Sequence, residues 1–150
     1  MSAPNGRWGR CRDVTRRAMT KGLDTNVLLR LVVADEPEQT RAAELAVRRA
    51  ADAGTPLQLN LVVLCEFAWV LRRSYGYSRA EIADCIETLA NSPALIFQEP
   101  ALVARATQWL RQGGDFADAI VSGLNRSLGA DTTLTFDKSA LRFDGFAPVT

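Results

Sequence analysis

The sequence predicts an α/β fold in which a mostly parallel central sheet lies between helices on both faces. Short apolar runs alternate with longer segments of helical periodicity, and this alternation is typical of parallel sheets. The predicted strands cover residues 21–24, 57–60, 94–97, 132–136 and 146–149. The chain has 150 residues, 47% of them hydrophobic and 23% charged, so it is large enough to form one domain whose core needs no metal or disulfide.

The helices of the first half are predicted from their ends and their apolar stripes. A short helix follows Asp24, because the apolar residues of 27–33 do not alternate. Pro37 suits the first turn of a helix over 37–53. One apolar stripe of that helix is predicted to face the core, namely Ala42, Leu45, Ala46 and Ala50. A helix over 61–74 follows, with these side chains predicted to be largely buried: Val62, Leu64, Cys65, Ala68, Trp69 and Leu71.

The helices of the second half have clearer start and stop signals. Ser78 and Glu81 are spaced as a capping box, which predicts a helix over 78–90. Pro100 suits the first turn of a helix over 100–111. An aspartate and a glycine bound the last long helix, predicted over 115–128.

Composition excludes several classes of enzyme. The chain has no histidine, which excludes Ser-His-Asp and Cys-His triads, histidine acid–base chemistry and His-ligated zinc. The three cysteines include no close pair, so neither a disulfide framework nor a CxxC site is predicted, and a reducing cytoplasm is the simplest setting. No apolar run reaches the roughly 18 residues of a membrane span, and no signal peptide is recognised.

Basic charge is concentrated at the N-terminus. Residues 1–21 hold six basic side chains and one acid, and Pro4, Gly6 and Gly9 favour loop. Residues 1–20 are therefore predicted to be a basic, disordered extension of a domain over 21–150. A basic tail can bind nucleic acid by neutralising phosphates, although the absence of any folded role is the favoured interpretation.

Carboxylates follow the ends of several predicted strands. Asp24 and Asp137 end strands, Asp115 and Asp118 begin a helix, and Glu66 lies one turn inside another. Ligands of parallel sheets bind at the carboxyl ends of the strands, so we expect four of these acids to converge. They are Asp24, Glu66, Asp118 and Asp137. Such a cluster repels itself unless a cation lies between the acids, and hard oxygen ligands favour Mg²⁺ or Mn²⁺ over zinc.

Each acid also has a structural interpretation. Asp24 can cap a helix, and Asp115 and Asp118 suit the N-terminal end of a helix dipole. Asp137 can start a turn. Glu66 is the hardest to explain structurally, because it stands inside the apolar run LVVLCEFAWVL, where an unpaired carboxylate is costly.

Four blocks of sequence together resemble a known family. GLDTNVLLRL, LVVLCEFAWVLRR, GGDFADAIVSGLNRSLGA and TLTFDKSA are similar to the successive motifs of PIN-domain ribonucleases of the VapC toxin type, from type II toxin-antitoxin systems. The resemblance covers about residues 21–149 and implies a PIN-like three-layer α/β/α sandwich. It also implies a toxin that cleaves RNA phosphodiester bonds by metal-activated water.

The resemblance assigns roles by position. It makes four acids catalytic and ligands of Mg²⁺ or Mn²⁺: Asp24, Glu66, Asp118 and Asp137. Asp115 is an additional acid that can contribute to the metal site. Thr25 and Asn26 match polar residues that orient the first acid. The implied partners are an RNA substrate, a second copy of the chain in a homodimer, and a small cognate antitoxin that covers the active site; no membrane is implied.

RNA that approaches an acidic site needs basic groups nearby to offset repulsion of its phosphates. The predicted RNA contacts are Arg30, Arg72, Arg73 and Arg111. Arg72 and Arg73 also suit the C-terminal end of a helix dipole. We further expect residues 1–18 to be dispensable for turnover, because the acids of the predicted site all lie outside them.

Two other functions compete with this prediction. A haloacid-dehalogenase-like phosphatase also begins with an aspartate at a strand end, but it needs a second aspartate where this chain has Asn26. A non-catalytic RNA- or protein-binding PIN module would tolerate loss of the acids, and all four are present.

Overall fold

The computed structural model describes residues 19–150, and the predictions for residues 1–18 lie outside that range. Its helices are α1 (Thr25–Val33), α2 (Pro37–Ala53), α3 (Leu61–Tyr75), α4 (Arg79–Ala90), α5 (Pro100–Arg111) and α6 (Phe116–Ser127). Its strands are β1 (Leu57–Leu59), β2 (Leu95–Phe97), β3 (Thr133–Thr135) and β4 (Phe146–Pro148). A 3-10 turn, Ala140–Arg142, was not predicted from the sequence.

The strands pair in parallel, which confirms the predicted α/β class. β1 pairs with β2 in the register Leu57 to Leu95, and β3 pairs with β4 in the register Thr133 to Phe146. β1 also contacts the chain before α1, where Leu23 donates to the Gln58 carbonyl at 2.9 Å. β1 therefore lies between β2 and the N-terminal segment of the domain.

The predicted first strand is reduced to a single bridge between Gly22 and Gln58. Asp24 already serves as the N-cap of α1, so the chain turns into a helix before a ladder can form. Among residues 19–150 the strands form two separate pairs instead of the single continuous sheet that was predicted. Each strand has only three residues, and the helices therefore supply most of the core.

Helix α3 is the centre of the hydrophobic core and packs against both α1 and α6. Leu64, Phe67 and Leu71 on this helix have no exposed surface. Their spacing of three and four residues places them on one face of the helix. This packing brings the start of α1, the middle of α3 and the start of α6 together at one end of the domain.

Two predicted apolar faces are wrong in part, although Ala50 on α2 and Leu64, Ala68 and Leu71 on α3 are buried as predicted. In α2 the buried positions are Thr40, Ala43 and Ala50, whereas Leu45 is exposed. Ala42 and Ala46, predicted on the buried stripe, are also exposed. In α3, Val62 and Trp69 have 75% and 60% of their surface exposed. Both helices are apolar on more than one face, so periodicity alone did not decide which face meets the core.

The capping box at Ser78 is confirmed. The Ser78 hydroxyl accepts from the Glu81 amide at 3.1 Å, and the Glu81 carboxylate accepts from the Ser78 amide at 2.7 Å. These hydrogen bonds lower the pKa of Glu81. A depressed carboxylate pKa stabilises the fold above the pKa of the unfolded chain, and this stabilisation is lost as pH falls through the folded-state value.

We expect Ser78→Ala to lower the free energy of unfolding by about 1 kcal/mol, because removal of the Ser78 hydroxyl leaves a helix amide without its partner. Denaturant unfolding followed by circular dichroism measures the change. Ser74→Ala is the matched control, since Ser74 is exposed on α3 and caps no helix. Equal stability of the two variants would show that the capping box contributes nothing.

Among residues 19–150, no helix is both long and apolar enough to cross a membrane.

Cys65 and Cys85 are free thiols and are half-buried, close to their predicted place as small core residues. Burial raises the pKa of Cys65 to about 11, with a further contribution from the charge of Asp115. This contribution agrees with the packing of α3 against α6.

Candidate active site

Asp24 and Glu66 flank a buried threonine. Asp24 caps α1 and accepts a hydrogen bond from the Thr25 amide at 2.7 Å. The Thr25 side chain is only 3% exposed, and its hydroxyl donates to Glu66 Oε2 at 3.0 Å. Thr25 therefore positions one carboxylate with its backbone and another with its side chain. Asn26, predicted to share the orienting role, is exposed.

Glu66 is exposed, although it stands within an apolar run. It lies on the same exposed side of α3 as Val62 and Trp69, at spacings of four and three residues. Its charge therefore stays in water, and the expected cost of burying it does not arise. Exposure is therefore the structural explanation for Glu66, and its side chain accepts a hydrogen bond from Thr25 on α1.

A second group of acids lies at the start of α6 and after β3. Asp115 caps α6 and accepts from the Asp118 amide at 2.9 Å. Partial burial raises the pKa of Asp118, and the charges of Asp115 and Asp137 raise it further. The loop after β3 lies beside α6, since the two elements contact each other. Asp115, Asp118 and Ser139 line one small hollow there.

Asp137 forms the turn that its sequence permits. It accepts from the Ser139 amide at 2.8 Å and from the Ser139 hydroxyl at 2.7 Å. These bonds lower the pKa of Asp137, so the carboxylate stays charged. Ser139 was not singled out from the sequence. The spacing of two residues after an aspartate is the available signal, because aspartate commonly binds the backbone two residues further on.

Burial of the Asp118 carboxylate, with repulsion by its neighbours, has a measurable cost. A raised carboxylate pKa means that folding is favoured while the group is protonated, and this contribution is lost as pH rises through the folded-state pKa. We therefore expect Asp118→Asn to raise the melting temperature of metal-free protein at neutral pH. Differential scanning calorimetry in chelator measures it, with Asp131→Asn, an exposed acid, as the control. A lower melting temperature for Asp118→Asn would contradict the assigned repulsion.

The acids fit a hard divalent cation by donor chemistry and by charge. They offer only carboxylate oxygens, and the like charges around Asp118 are the kind that a cation relieves. Within residues 19–150, however, no three acidic or thiol side chains form a closed set of metal ligands. Asp24, Glu66 and Asp137 are exposed, so their side chains can change rotamer.

Two of the four predicted RNA-binding arginines are engaged in ion pairs. Arg30 pairs with Asp35, and Arg111 bridges Asp84 and Glu87 at 2.7 and 2.8 Å. The pKa of each guanidinium is raised, chiefly by side-chain hydrogen bonds. The Arg111 contacts join α5 to α4, and Arg30 on α1 also donates to the Gln39 side chain on α2 at 2.8 Å, which favours a structural role for both arginines.

Arg72 and Arg73 differ, because both are exposed and neither has an ion pair or side-chain hydrogen bond among the described residues. They line an open cleft that also contains Asp115. Another arginine holds the loop before that acid: Arg79 Nε donates to the Gly114 carbonyl at 3.1 Å. No feature of the sequence indicated this contact.

Comparison with known proteins decides the family. A family model described as PIN domain matches residues 22–145, most of the chain and all of the predicted acids. The chain belongs to the PIN domain family. PIN domains are generally nucleases that act on RNA or DNA with divalent metal ions. No curated protein and no solved structure matches the chain. Membership of the PIN family is thus confirmed, and the VapC toxin branch stays a prediction.

Proposed function

We propose that the protein is a ribonuclease that depends on Mg²⁺ or Mn²⁺ and acts as the toxin of a toxin-antitoxin pair. The observation that carries this proposal is the placement of the acids in a PIN domain: Thr25 joins Asp24 to Glu66 by hydrogen bonds, and Asp115 and Asp118 line one hollow with Ser139. Asp118 is partly buried there beside the charges of Asp115 and Asp137, and a cation between these carboxylates would offset their repulsion.

The proposed ligands of the ion are Asp24, Glu66, Asp118 and Asp137, with Asp115 as an additional acid beside them. A divalent ion in this place lowers the pKa of water and stabilises charge on the attacked phosphate. Thr25 holds Glu66 by its hydroxyl, and Ser139 holds Asp137 in its charged form. One carboxylate can accept the proton of the attacking water, so the chain needs neither histidine nor a protein nucleophile.

The experiment compares two substrates. Purified protein with Mn²⁺ is given single-stranded RNA and, separately, a small phosphate monoester. We expect cleavage of RNA, loss of cleavage in chelator, and no release of phosphate from the monoester. Release of phosphate without cleavage of RNA would support the phosphatase instead, and no reaction with either would support a binding module.

Thr25 offers a sharper test of the site. We expect Thr25→Val to reduce RNA cleavage roughly 10- to 100-fold, the usual effect of removing a group that orients a metal ligand. The hydroxyl that holds Glu66 is lost, while the shape of the side chain is kept. Turnover at saturating RNA is measured. Thr25→Ser, which retains the hydroxyl, should restore most of it, and equal rates for all three proteins would show that this hydrogen bond has no role.

The proposed partners follow from surfaces outside the core. Ala42, Leu45 and Ala46 form an exposed apolar face on α2, which supports a homodimer. The repelling acids support an antitoxin that covers the site and presents a basic side chain to them. The proposed setting is the cytoplasm, where the free thiols of Cys65 and Cys85 stay reduced.

A further inference from the structure

A cleft of about 620 Å³ opens at the corner between α3 and α4. Gly76 ends α3 in the left-handed conformation, with φ of 69°. The chain then reverses, and the Tyr77 amide donates to the Leu71 carbonyl at 3.0 Å. This reversal places Tyr77 beside the last turn of α3. This end of the cleft is thus fixed by backbone structure.

The cleft combines an aromatic surface with positive charge. Trp69, Arg72 and Arg73 line it from α3, at spacings of three and four residues that place them on one side of the helix. Trp69 is 60% exposed, an unusual position for the largest side chain in a chain of this size. The two guanidiniums have no acidic partner among the described residues.

The cleft is continuous with the acids. Asp115, which caps α6 and accepts from the Asp118 amide at 2.9 Å, also lines the cleft. An RNA strand whose phosphate lies at the acids therefore has the cleft as its immediate neighbour. Arginines that neutralise phosphate and an aromatic ring on which a base stacks are the two elements of single-strand binding.

We propose that this cleft is a nucleotide subsite in which one unpaired base of the RNA stacks on Trp69 while Arg72 and Arg73 bind the adjoining phosphates. Tyr77 also lines the cleft. The inference rests on the proposed ribonuclease activity, and it adds Trp69 as a residue that positions the RNA strand. An aromatic ring accepts any base, so the subsite contributes affinity and register more than sequence preference.

The test is a scan with abasic nucleotides. Single-stranded RNAs of about ten nucleotides, each lacking one base, are titrated with the full chain in chelator, and binding is followed by fluorescence anisotropy. With wild-type protein we expect one position at which loss of the base weakens binding roughly 5- to 150-fold, the range of one base–aromatic stack. Trp69→Ala should bind the intact RNA more weakly by a similar factor. Its affinity should then no longer depend on which base of the RNA is missing.

Two further variants separate stacking from other roles of Trp69. Trp69→Phe should retain most of the affinity, whereas Trp69→Leu, which is apolar but not aromatic, should lose it.

Arg72→Ala should reduce the slope of affinity against salt concentration by about one charge. Arg48→Ala, an exposed arginine on α2, should leave the slope unchanged. Circular dichroism checks that each variant is folded.

The outcomes distinguish the subsite from the ribonuclease itself. Wild-type cleavage of RNA with a scan that Trp69→Ala does not alter would overturn the subsite and leave the proposed function intact. Absence of both cleavage and RNA binding by wild-type protein would overturn both. If Trp69→Ala leaves RNA affinity unchanged but abolishes self-association in light scattering, the exposed tryptophan belongs to a protein interface and the proposal is wrong.

Discussion

Replacing Asp24 with asparagine is expected to reduce metal-dependent RNA cleavage by roughly 100- to 1,000-fold, because an ion that stabilises the attacked phosphate contributes several kcal/mol. Asparagine caps a helix as well as aspartate does, so α1 should still form. The variant therefore separates the chemistry of the carboxylate from its structural role. Single-turnover cleavage of labelled RNA with Mn²⁺ measures the effect.

Asp52→Asn is the matched control, because Asp52 is exposed near the end of α2 and should leave cleavage unchanged. Circular dichroism and thermal melting establish that both variants fold. Wild-type turnover by folded Asp24→Asn would mean that this aspartate is only a helix cap, and the proposed site would lose its first member.

Replacing Phe67 with alanine is expected to lower the free energy of unfolding by about 3–5 kcal/mol. Phe67 has no exposed surface and lies at the centre of α3, the helix that packs against α1 and α6. A domain is typically stable by only about 5–15 kcal/mol, so the variant should lose much of its stability. Urea unfolding followed by circular dichroism measures the difference.

Val62→Ala tests the same helix from its other side. Val62 is 75% exposed, so its replacement should change the free energy of unfolding by no more than about 0.5 kcal/mol. A large loss of stability in Val62→Ala would show that the exposed side of α3 is buried in solution, either within the chain or against a second copy. Together the two variants establish which face of α3 meets the core.

Helix positions were predictable because their ends carry local signals. Pro37 at the start of α2, the capping box at Ser78 and Asp115 at the start of α6 all act within one turn of the chain. Capping depends on the hydrogen bonds of the first helical amides, which neighbouring residues supply. The bounds predicted from these signals differ from the observed ones by at most a residue or two.

Helix faces and strand pairing were less predictable, because they depend on distant contacts. Val62 and Trp69 follow an apolar pattern, yet they lie on the side of α3 opposite its packed face. The first strand was predicted just before the apolar run of α1, but Asp24 caps that helix and starts it too soon for a ladder. The exposed face of α3 cannot be read from local composition, since it depends on which element packs opposite.

The candidate site divides in the same way. The acids could be proposed from the sequence, because ligands of parallel sheets bind at the carboxyl ends of the strands. The hydrogen bond between Thr25 and Glu66 could not, because it joins residues that are far apart in the chain. Arg30 and Arg111 were predicted to bind RNA because of their charge. The acidic side chains with which they form ion pairs are visible only in the fold.

The central claim is that acids from α1, α3, α6 and the loop after β3 hold one divalent ion. Calorimetric titration of Mn²⁺ into the full chain tests it without reference to cleavage. We expect saturable binding by the wild-type protein. Asp24→Asn and Asp118→Asn should both lose affinity for Mn²⁺, and Asp52→Asn should bind it as tightly as the wild-type protein does. Unchanged Mn²⁺ binding in either of the first two variants would contradict a single shared site.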